Sequence, residues 1–380
     1  MHLINKGWMR VLVRVDVHPI IGFGHLSRCL NLCQVMKLHG WNIAFIGHGL
    51  GEYLDPSDTY YPLEYSNSNE ALITTDTSTW LGELPNELAQ KNDWLQCRQI
   101  LEAEYDLIIV DHYALDIIWE LCWTNSKILV IDDLLHRFHY CHYFIDYSVL
   151  MADIGNRVPD FCKIMLGPSF ALLDIHLCDL IRKDELELDG KIHLLINFGG
   201  YDADNYTEKV LLALERIFYT SKNNQLFQRI NEITIVRKNK KPIETLLETL
   251  IILKSKPIHV YDGLSKSEFL KLLGHYKMSY PPINLCIGAA GVSTFERACL
   301  GIPSILICTA ENQIRNAKGF ATLGAGSYLE QWNDDQFELI LGKYLCPESN
   351  LDVSLKCRKL VDGRGVFRVF YKLSRDFIYK

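Results

Sequence analysis

Apolar runs recur along the chain in two series, alternating with stretches that carry an apolar face at helical spacing. In the first series Met9–Val15 reads as a strand interrupted by arginines, followed by a glycine-containing loop and a helix from about His25 to Leu38. Trp41–Ile46, Asp106–Val110 and Lys127–Ile131 predict further strands, and the short run Lys163–Leu166 precedes the turn signal Gly167-Pro168. The pattern restarts after a charged stretch, residues 181–191 (IRKDELELDGK). There His193–Asn197, Glu232–Val236, Ile283–Ile287 and Ser304–Cys308 predict strands, with helices at about Asn205–Phe218, Thr294–Leu300 and Asn312–Leu323. Strands that are apolar almost throughout and separated by helices belong to parallel sheets covered on both faces. The expected class is therefore α/β, with two Rossmann-like domains, residues 1–180 and 190–380, facing each other across a cleft. The C-terminal helix is free to pack back on the first domain. Residues 50–95, poor in periodicity and rich in Asp, Ser, Thr and Asn, are expected to be loop-rich.

Composition narrows the function more than the fold. The chain of 380 residues has 46 acidic against 39 basic side chains, a net charge of -7, which argues against a general nucleic-acid binder. No stretch approaches the ~18 uncharged apolar residues of a membrane span. The N-terminal MHLINKGWMRVLVRVD lacks the apolar centre and small-residue cleavage site of a secretory leader, so a cytoplasmic location is expected. The twelve cysteines are scattered singly, which fits reduced thiols better than a disulfide framework.

Doubly wound sheets bind ligands at the carboxyl ends of their strands, where glycines let backbone N–H groups approach a phosphate or sugar. Three loops fit that place. The first, Asp16 to His25, contains Gly22-Phe23-Gly24-His25 and opens the first helix. It lacks the third glycine of the dinucleotide fingerprint, and no acidic residue ends the second strand, so a nicotinamide cofactor fits poorly. A tight turn with a capping histidine is the plain alternative. The second loop is Gly288-Ala289-Ala290-Gly291-Val292-Ser293-Thr294, whose small residues and hydroxyl-bearing cap suit a helix start open to a diphosphate. Glu296 near that helix start can reach a ligand, or can simply favour the helix dipole. The third, Phe198-Gly199-Gly200-Tyr201-Asp202 before Asn205, is either a turn with an Asn cap or a ligand loop mirroring the first.

Taken together and in order, several motifs resemble one family. They are IGFGHLSRCLNL (21–32), VDHYALD (110–116), IDDL (131–134), GPSFALL (167–173), NFGGYDADNYT (197–207), GAAGVSTFERACLGIPSILI (288–307), AENQ (310–313) and LVDGRGVFRV (360–369). The chain is similar to the UDP-2,4-diacetamido-2,4,6-trideoxy-β-L-altropyranose hydrolases of pseudaminic acid biosynthesis, themselves similar in fold to two-Rossmann-domain (GT-B type) glycosyltransferases. It departs from them at Asp174-Ile175-His176-Leu177, where the family commonly has Arg-x-Glu-Phe. It departs again at Arg237-Lys238-Asn239-Lys240, which lacks the usual glycine, and at an apparent insertion over residues 274–282.

The resemblance implies an enzyme that splits a UDP-sugar at the anomeric carbon, with His25 as general base and no metal or other cofactor. A helix N-terminus beside His25 would disfavour the imidazolium. By the same resemblance Glu296 holds the ribose hydroxyls, Asn312 contacts sugar or phosphates beside Gln313, and the 288–294 loop steadies the leaving diphosphate. Gly24, Gly200, Asp202 and Asn205 line the substrate, and Asp111, His112 and Tyr113 position it. Asp16 orients His25, binds a sugar hydroxyl, or is a plain strand-end carboxylate. The expected partner is the UDP-sugar alone, with neither nucleic acid nor membrane. Rival readings are a glycosyltransferase of the same architecture and a non-catalytic sugar-nucleotide binder. Two clusters imitate metal sites: Cys29 with Cys33, and His136, His139, Cys141 and His142. Their plainer reading is packing, as it is for Trp94, Trp119 and Trp123.

Overall fold

The computed structural model describes residues 9–18, 23–63, 86–151, 153–181, 191–199, 202, 204–220, 225–238, 243–274 and 282–378. The chain divides into two compact units, Met1–Ile175 with Arg364–Lys380, and His176–Gly363. Each is built on its own parallel sheet.

In the first unit the strands are β1 (Arg10–Val15), β2 (Asn42–Gly47), β3 (Thr59–Pro62), β4 (Leu107–Asp111), β5 (Lys127–Ile131), β6 (Tyr143–Asp146) and β7 (Lys163–Leu166). They lie in the order β3-β2-β1-β4-β5-β6-β7. In the second unit β8 (Ile192–Asn197), β9 (Ile230–Arg237), β10 (Ile258–Asp262), β11 (Leu285–Ala289), β12 (Ser304–Ile307) and β13 (Ser327–Leu329) lie in the order β10-β9-β8-β11-β12-β13. Both sheets therefore follow the doubly wound course in which the first and fourth strands of the series are neighbours. The crevice at the carboxyl ends of those two strands is where such sheets take ligands. It lies between β1 and β4 in the first unit and between β8 and β11 in the second.

The continuous apolar runs become central strands because both of their faces are covered. Val11, Leu12, Val13 and Val15 of β1 are fully buried, and the helix Gly24–Leu38 buries Leu26, Leu32, Val35 and Met36. The helix Gly365–Ile378 closes the first unit, with Phe370 against His39 and Trp41. The Asp376 carboxylate accepts from the Tyr143 hydroxyl at 2.5 Å. That helix starts at a glycine for a steric reason: a Cβ at Gly365 would lie 2.1 Å from the Ala171 carbonyl oxygen. Among the described residues no helix is long and apolar enough to cross a membrane.

Several elements depart from the reading of the sequence. The 50–95 region contains β3 and a helix, Glu87–Ile100, capped by the Asn86 side chain on the Leu88 and Ala89 N–H groups. Its buried face includes Gln90 and Asp93 as well as Ala89 and Cys97, so the apolar period that marks a helix is broken by polar residues with interior partners. β3 and β10 are half-exposed edge strands, and β6 and β13 span only four and three residues, too short for a clear period. The linker residues 182–190, together with Gly22, Gly200, Tyr201 and Asn239-Lys240, lie outside the described residues. Trp119 is fully buried, and its indole N–H donates to Asp93 at 2.8 Å.

Gly288 illustrates how a glycine can serve the sheet rather than the ligand. It lies within β11 opposite Asn197 of β8, and a Cβ there would come within 2.1 Å of the Asn197 carbonyl oxygen. Gly291, beyond the strand, has nothing within 4 Å of that position. Gly288→Ala is therefore expected to cost about 1–3 kcal/mol through strain in the sheet, and Gly291→Ala less than about 1 kcal/mol. Urea unfolding of the two variants checks this, and equal losses would contradict it.

Candidate functional site

Two loops meet at the carboxyl ends of β1 and β4. β4 ends in Asp111, and the helix beginning at Gly24 brings His25 over it, so that His25 Nδ1 lies 2.5 Å from Asp111 Oδ1. Asp111 is also gripped by Arg28, one turn along the same helix, with Nε 2.5 Å from Oδ2 and Nη2 2.6 Å from Oδ1. Arg28 reaches on to Asp133 at 3.1 Å and Tyr147 at 3.3 Å. Tyr113 packs edge-on to the His25 ring at 4.5 Å and donates its hydroxyl to Asp133 at 2.7 Å. Burial by itself would push the Asp111 carboxyl up, but Arg28 and His25 outweigh it and hold Asp111 below the usual carboxylate range. Arg28 is likewise disfavoured by burial yet kept charged by Asp111, Tyr147 and Asp133.

In a neutral ring this arrangement favours the Nδ1–H tautomer of His25. Asp111 is an acceptor, so Nδ1 carries the hydrogen. The 3.2 Å approach of Arg28 Nη2 to Nδ1 follows from both groups sharing one carboxylate oxygen. Nε2 is left as the lone-pair nitrogen, with no hydrogen bond among the described residues. A histidine held in this way can take a proton from a water or hydroxyl placed at Nε2.

Asp16 has a different role from orienting His25. Its carboxylate, fully buried, is enclosed by Arg14, by the backbone N–H of His48 at 2.8 Å, by His48 Nδ1 at 3.2 Å and by His112 Nε2 at 2.9 Å. Arg14 continues to Asp93, with Nη2–Oδ2 at 2.7 Å. Burial opposes ionisation of Asp16, but Arg14 and His112 hold its carboxyl well down. His112 uses both ring nitrogens, since Nδ1 accepts the Ala114 N–H at 3.1 Å. Burial depresses its protonation despite Asp16, and it stays neutral. Asp16 and His112 thus brace the strand ends around the His25–Asp111 pair.

Behind them stands a second buried ionic group. Arg137 donates to the carbonyls of His112 and Leu115, each at 2.7 Å, and to Asp132 at 2.6 Å, which fixes the loop following β4. His139 sits between Glu120 at 2.7 Å and Asp132 at 3.1 Å. The histidine cluster that imitates a metal site therefore contributes His139 to an ion network instead. Among the described residues no group of three or more His, Cys, Asp or Glu is placed to hold a metal ion. Burial opposes the charge on His139, but Glu120 and Asp132 prevail and push it up to about 9. Its stabilising effect is then complete below the unfolded value of about 6.5 and lost as pH rises through about 9, an effect of roughly 3 kcal/mol. Unfolding free energies measured between pH 6 and 10 should show this fall in the parent and not in His139→Gln. A slope shared by both would assign it to other groups.

In the second unit, three loops leave the neighbouring strands β8, β11 and β12 at their carboxyl ends. Gly288 and Ala289 belong to β11, so the loop proper is Ala290–Val292. The hydroxyls of Ser293 and Thr294 do not cap the helix Ser293–Cys299, whose cap residue Val292 makes no side-chain bond. They turn instead to Arg297, whose Nη1 and Nη2 donate to Ser293 Oγ at 2.9 Å and Thr294 Oγ1 at 3.0 Å. Glu296 lies buried in the first turn. Asp202 caps the helix Tyr206–Thr220, accepting from the Tyr206 and Thr207 N–H groups at 2.8 Å each, and Asn205 adopts a left-handed φ of 54° before it. Asn312 and Gln313 lie in the turn Glu311–Gln313 after β12, where Gln313 Oε1 accepts from the Thr309 N–H at 3.1 Å.

Arg14, Arg28, Asp93 and Asp133 complete the first cluster; Arg28 and Asp133 stand inside the motifs without being marked by them as site residues, and Arg14 and Asp93 lie outside them. Arg14 had a signal: a charge inside an apolar strand, two residues from Asp16 and so on the same face. Arg28 had another, three residues after His25 on the same side of the helix.

No family model matches the chain. In sequence it is 24% identical over 243 residues, 61% of its length, to the UDP-2,4-diacetamido-2,4,6-trideoxy-beta-L-altropyranose hydrolase of Campylobacter jejuni, 76% of which is covered. It is 26% identical over 229 residues to the spore coat polysaccharide biosynthesis protein SpsG of Bacillus subtilis, a match spanning 58% of this chain and 61% of that protein. Among solved structures, MurG of Acinetobacter baumannii superposes with a TM-score of 0.61 at 12% identity, over 95% of this chain and 98% of that one. LpCGTa in complex with UDP gives 0.57 at 12% identity, over 96% and 98%. The chain thus has the two-Rossmann-domain fold of the GT-B glycosyltransferases and is similar in sequence to the diacetamido-trideoxy-altropyranose hydrolase and to SpsG.

Proposed function

We propose that the chain hydrolyses a UDP-linked sugar at its anomeric carbon, releasing UDP and the free sugar. The substrate class proposed is a UDP-2,4-diacetamido-2,4,6-trideoxyhexose, UDP-2,4-diacetamido-2,4,6-trideoxy-β-L-altropyranose in the first instance, as in pseudaminic acid biosynthesis. The observation that carries this reading is the His25–Asp111 pair at the carboxyl ends of β1 and β4, with the second ring nitrogen of His25 open. The sequence similarity to the C. jejuni hydrolase supports the same reaction.

In the proposed step, a water donates a proton to His25 Nε2 as its oxygen bonds to the anomeric carbon. The bond from that carbon to the diphosphate oxygen breaks, and its electron pair leaves with UDP. Asp111 holds the ring and steadies the imidazolium that forms, while Arg28 keeps Asp111 ionised so that the proton stays on the histidine. The second unit takes the nucleotide, with backbone N–H groups of the loop after β11 toward the diphosphate and Glu296 toward the ribose. Asp202 and Asn205 then act by shaping the loop after β8.

The test is to incubate the chain with UDP-2,4-diacetamido-trideoxyhexoses and other UDP-sugars, without any acceptor, and to follow UDP. Release of UDP and free sugar is the expected result. Release only when a sugar or lipid acceptor is added would make the chain a transferase. Binding of UDP-sugar without turnover under either condition would make it a binding protein.

A further inference from the structure

Among the described residues four arginines are almost wholly buried, and three of them face aspartate: Arg14 meets Asp16 and Asp93, Arg28 meets Asp111 and Asp133, and Arg137 meets Asp132. The fourth, Arg297, does not. It is fully buried, and its donors end on neutral groups: Nε on Ser304 Oγ at 3.1 Å, Nη1 on Ser293 Oγ at 2.9 Å, and Nη2 on the Ala289 carbonyl and Thr294 Oγ1, each at 3.0 Å. No carboxylate lies within ion-pair distance of it among the described residues. A guanidinium withdrawn from water without a counter-charge is costly, and its field is weakly screened.

Its bonds also have a pattern. Ala289 is the last residue of β11, and Ser293 and Thr294 are the first two of the next helix. Arg297 therefore fastens both ends of the loop Ala290–Val292 from behind and leaves the outer side of Gly291 open. We propose that Arg297 is a positioning residue for the diphosphate. It holds that loop in one shape and leaves there a positive charge whose counter-charge arrives with the ligand. This rests on the sugar-nucleotide reading above and adds to it the residue that makes the loop select an anion. The phosphates need not touch Arg297, because its charge acts through the loop it holds.

UDP and uridine share base and ribose and differ in the diphosphate, so the ratio of their affinities isolates the effect from general damage to the loop. Calorimetric titration of the parent, Arg297→Gln and Arg297→Lys with both ligands is the experiment. Arg297→Gln is expected to weaken UDP by about tenfold or more and uridine by less than about threefold. Arg297→Lys, which keeps the charge but not the fork, should hold the UDP-to-uridine ratio within about threefold of the parent. A ratio unmoved in Arg297→Gln, or lowered as much by Lys as by Gln, would overturn the proposal and leave Arg297 a structural clamp. If Arg297→Gln does not fold, the Lys variant decides: a ratio within threefold supports the charge, and a tenfold fall overturns it. A parent that binds neither UDP nor uridine would instead overturn the sugar-nucleotide reading itself.

Discussion

Replacing His25 with alanine is expected to lower turnover of the UDP-sugar by about a hundredfold or more, with UDP affinity nearly unchanged. The two quantities should separate because the proposed base stands at the β1–β4 crevice of the first unit, whereas the nucleotide is assigned to the loops of the second. Asp111 makes the prediction sharper. It favours the Nδ1–H tautomer of His25 through a 2.5 Å contact and is itself held by two bonds from Arg28. Asp111→Asn keeps the shape of that carboxylate but presents Arg28 and His25 with a neutral amide, one side of which is a donor. Turnover should then fall by a similar order, since a misdirected ring leaves the wrong nitrogen toward the water. Steady-state kinetics beside UDP titrations check both variants. Near-parent turnover in His25→Ala would remove the base from this position. A joint loss of turnover and UDP binding would make His25 a ligand-holding residue. His112 is a poor substitute as base, because both of its nitrogens are already bonded.

The second large effect concerns stability. Arg14→Met should destabilise the first unit by about 3–5 kcal/mol, because it leaves Asp16 and Asp93 buried without their shared cation. The pH dependence follows from the direction in which Asp16 is held. Its carboxyl is depressed in the folded chain, so its stabilising effect is present above the unfolded value of about 3.9 and is lost as pH falls below it. The gap between parent and Arg14→Met should therefore be widest near neutrality and narrow below about pH 4. Urea unfolding at several pH values measures it. A loss under about 1 kcal/mol at pH 7 would mean that His48, His112 and Trp119 satisfy the two carboxylates without Arg14.

The amino-acid sequence determined by itself the α/β class, most central strands and the first helix, because long apolar runs leave a strand few places except the middle of a covered sheet. β1, β4, β5, β8, β11 and β12 were all legible in this way, and the order of motifs carried the resemblance to the hydrolases. The edge strands β3 and β10 were not, since a half-exposed strand has no continuous apolar run. Nor was the helix Glu87–Ile100, whose buried face carries Gln90 and Asp93 for partners distant in the chain. At the site, His25 and Asp111 could each be picked out alone, but their pairing could not. Residues 86 apart meet only because β1 and β4 are neighbours in the sheet and the helix after β1 crosses the end of β4. The same placement gave Asp16 to Arg14, His48 and His112 rather than to His25. It also set Gly288 against Asn197 and turned Ser293 and Thr294 toward Arg297. Which carboxylate serves which cation depends on distances of a few ångströms between separate strands, and only the assembled sheet sets those distances.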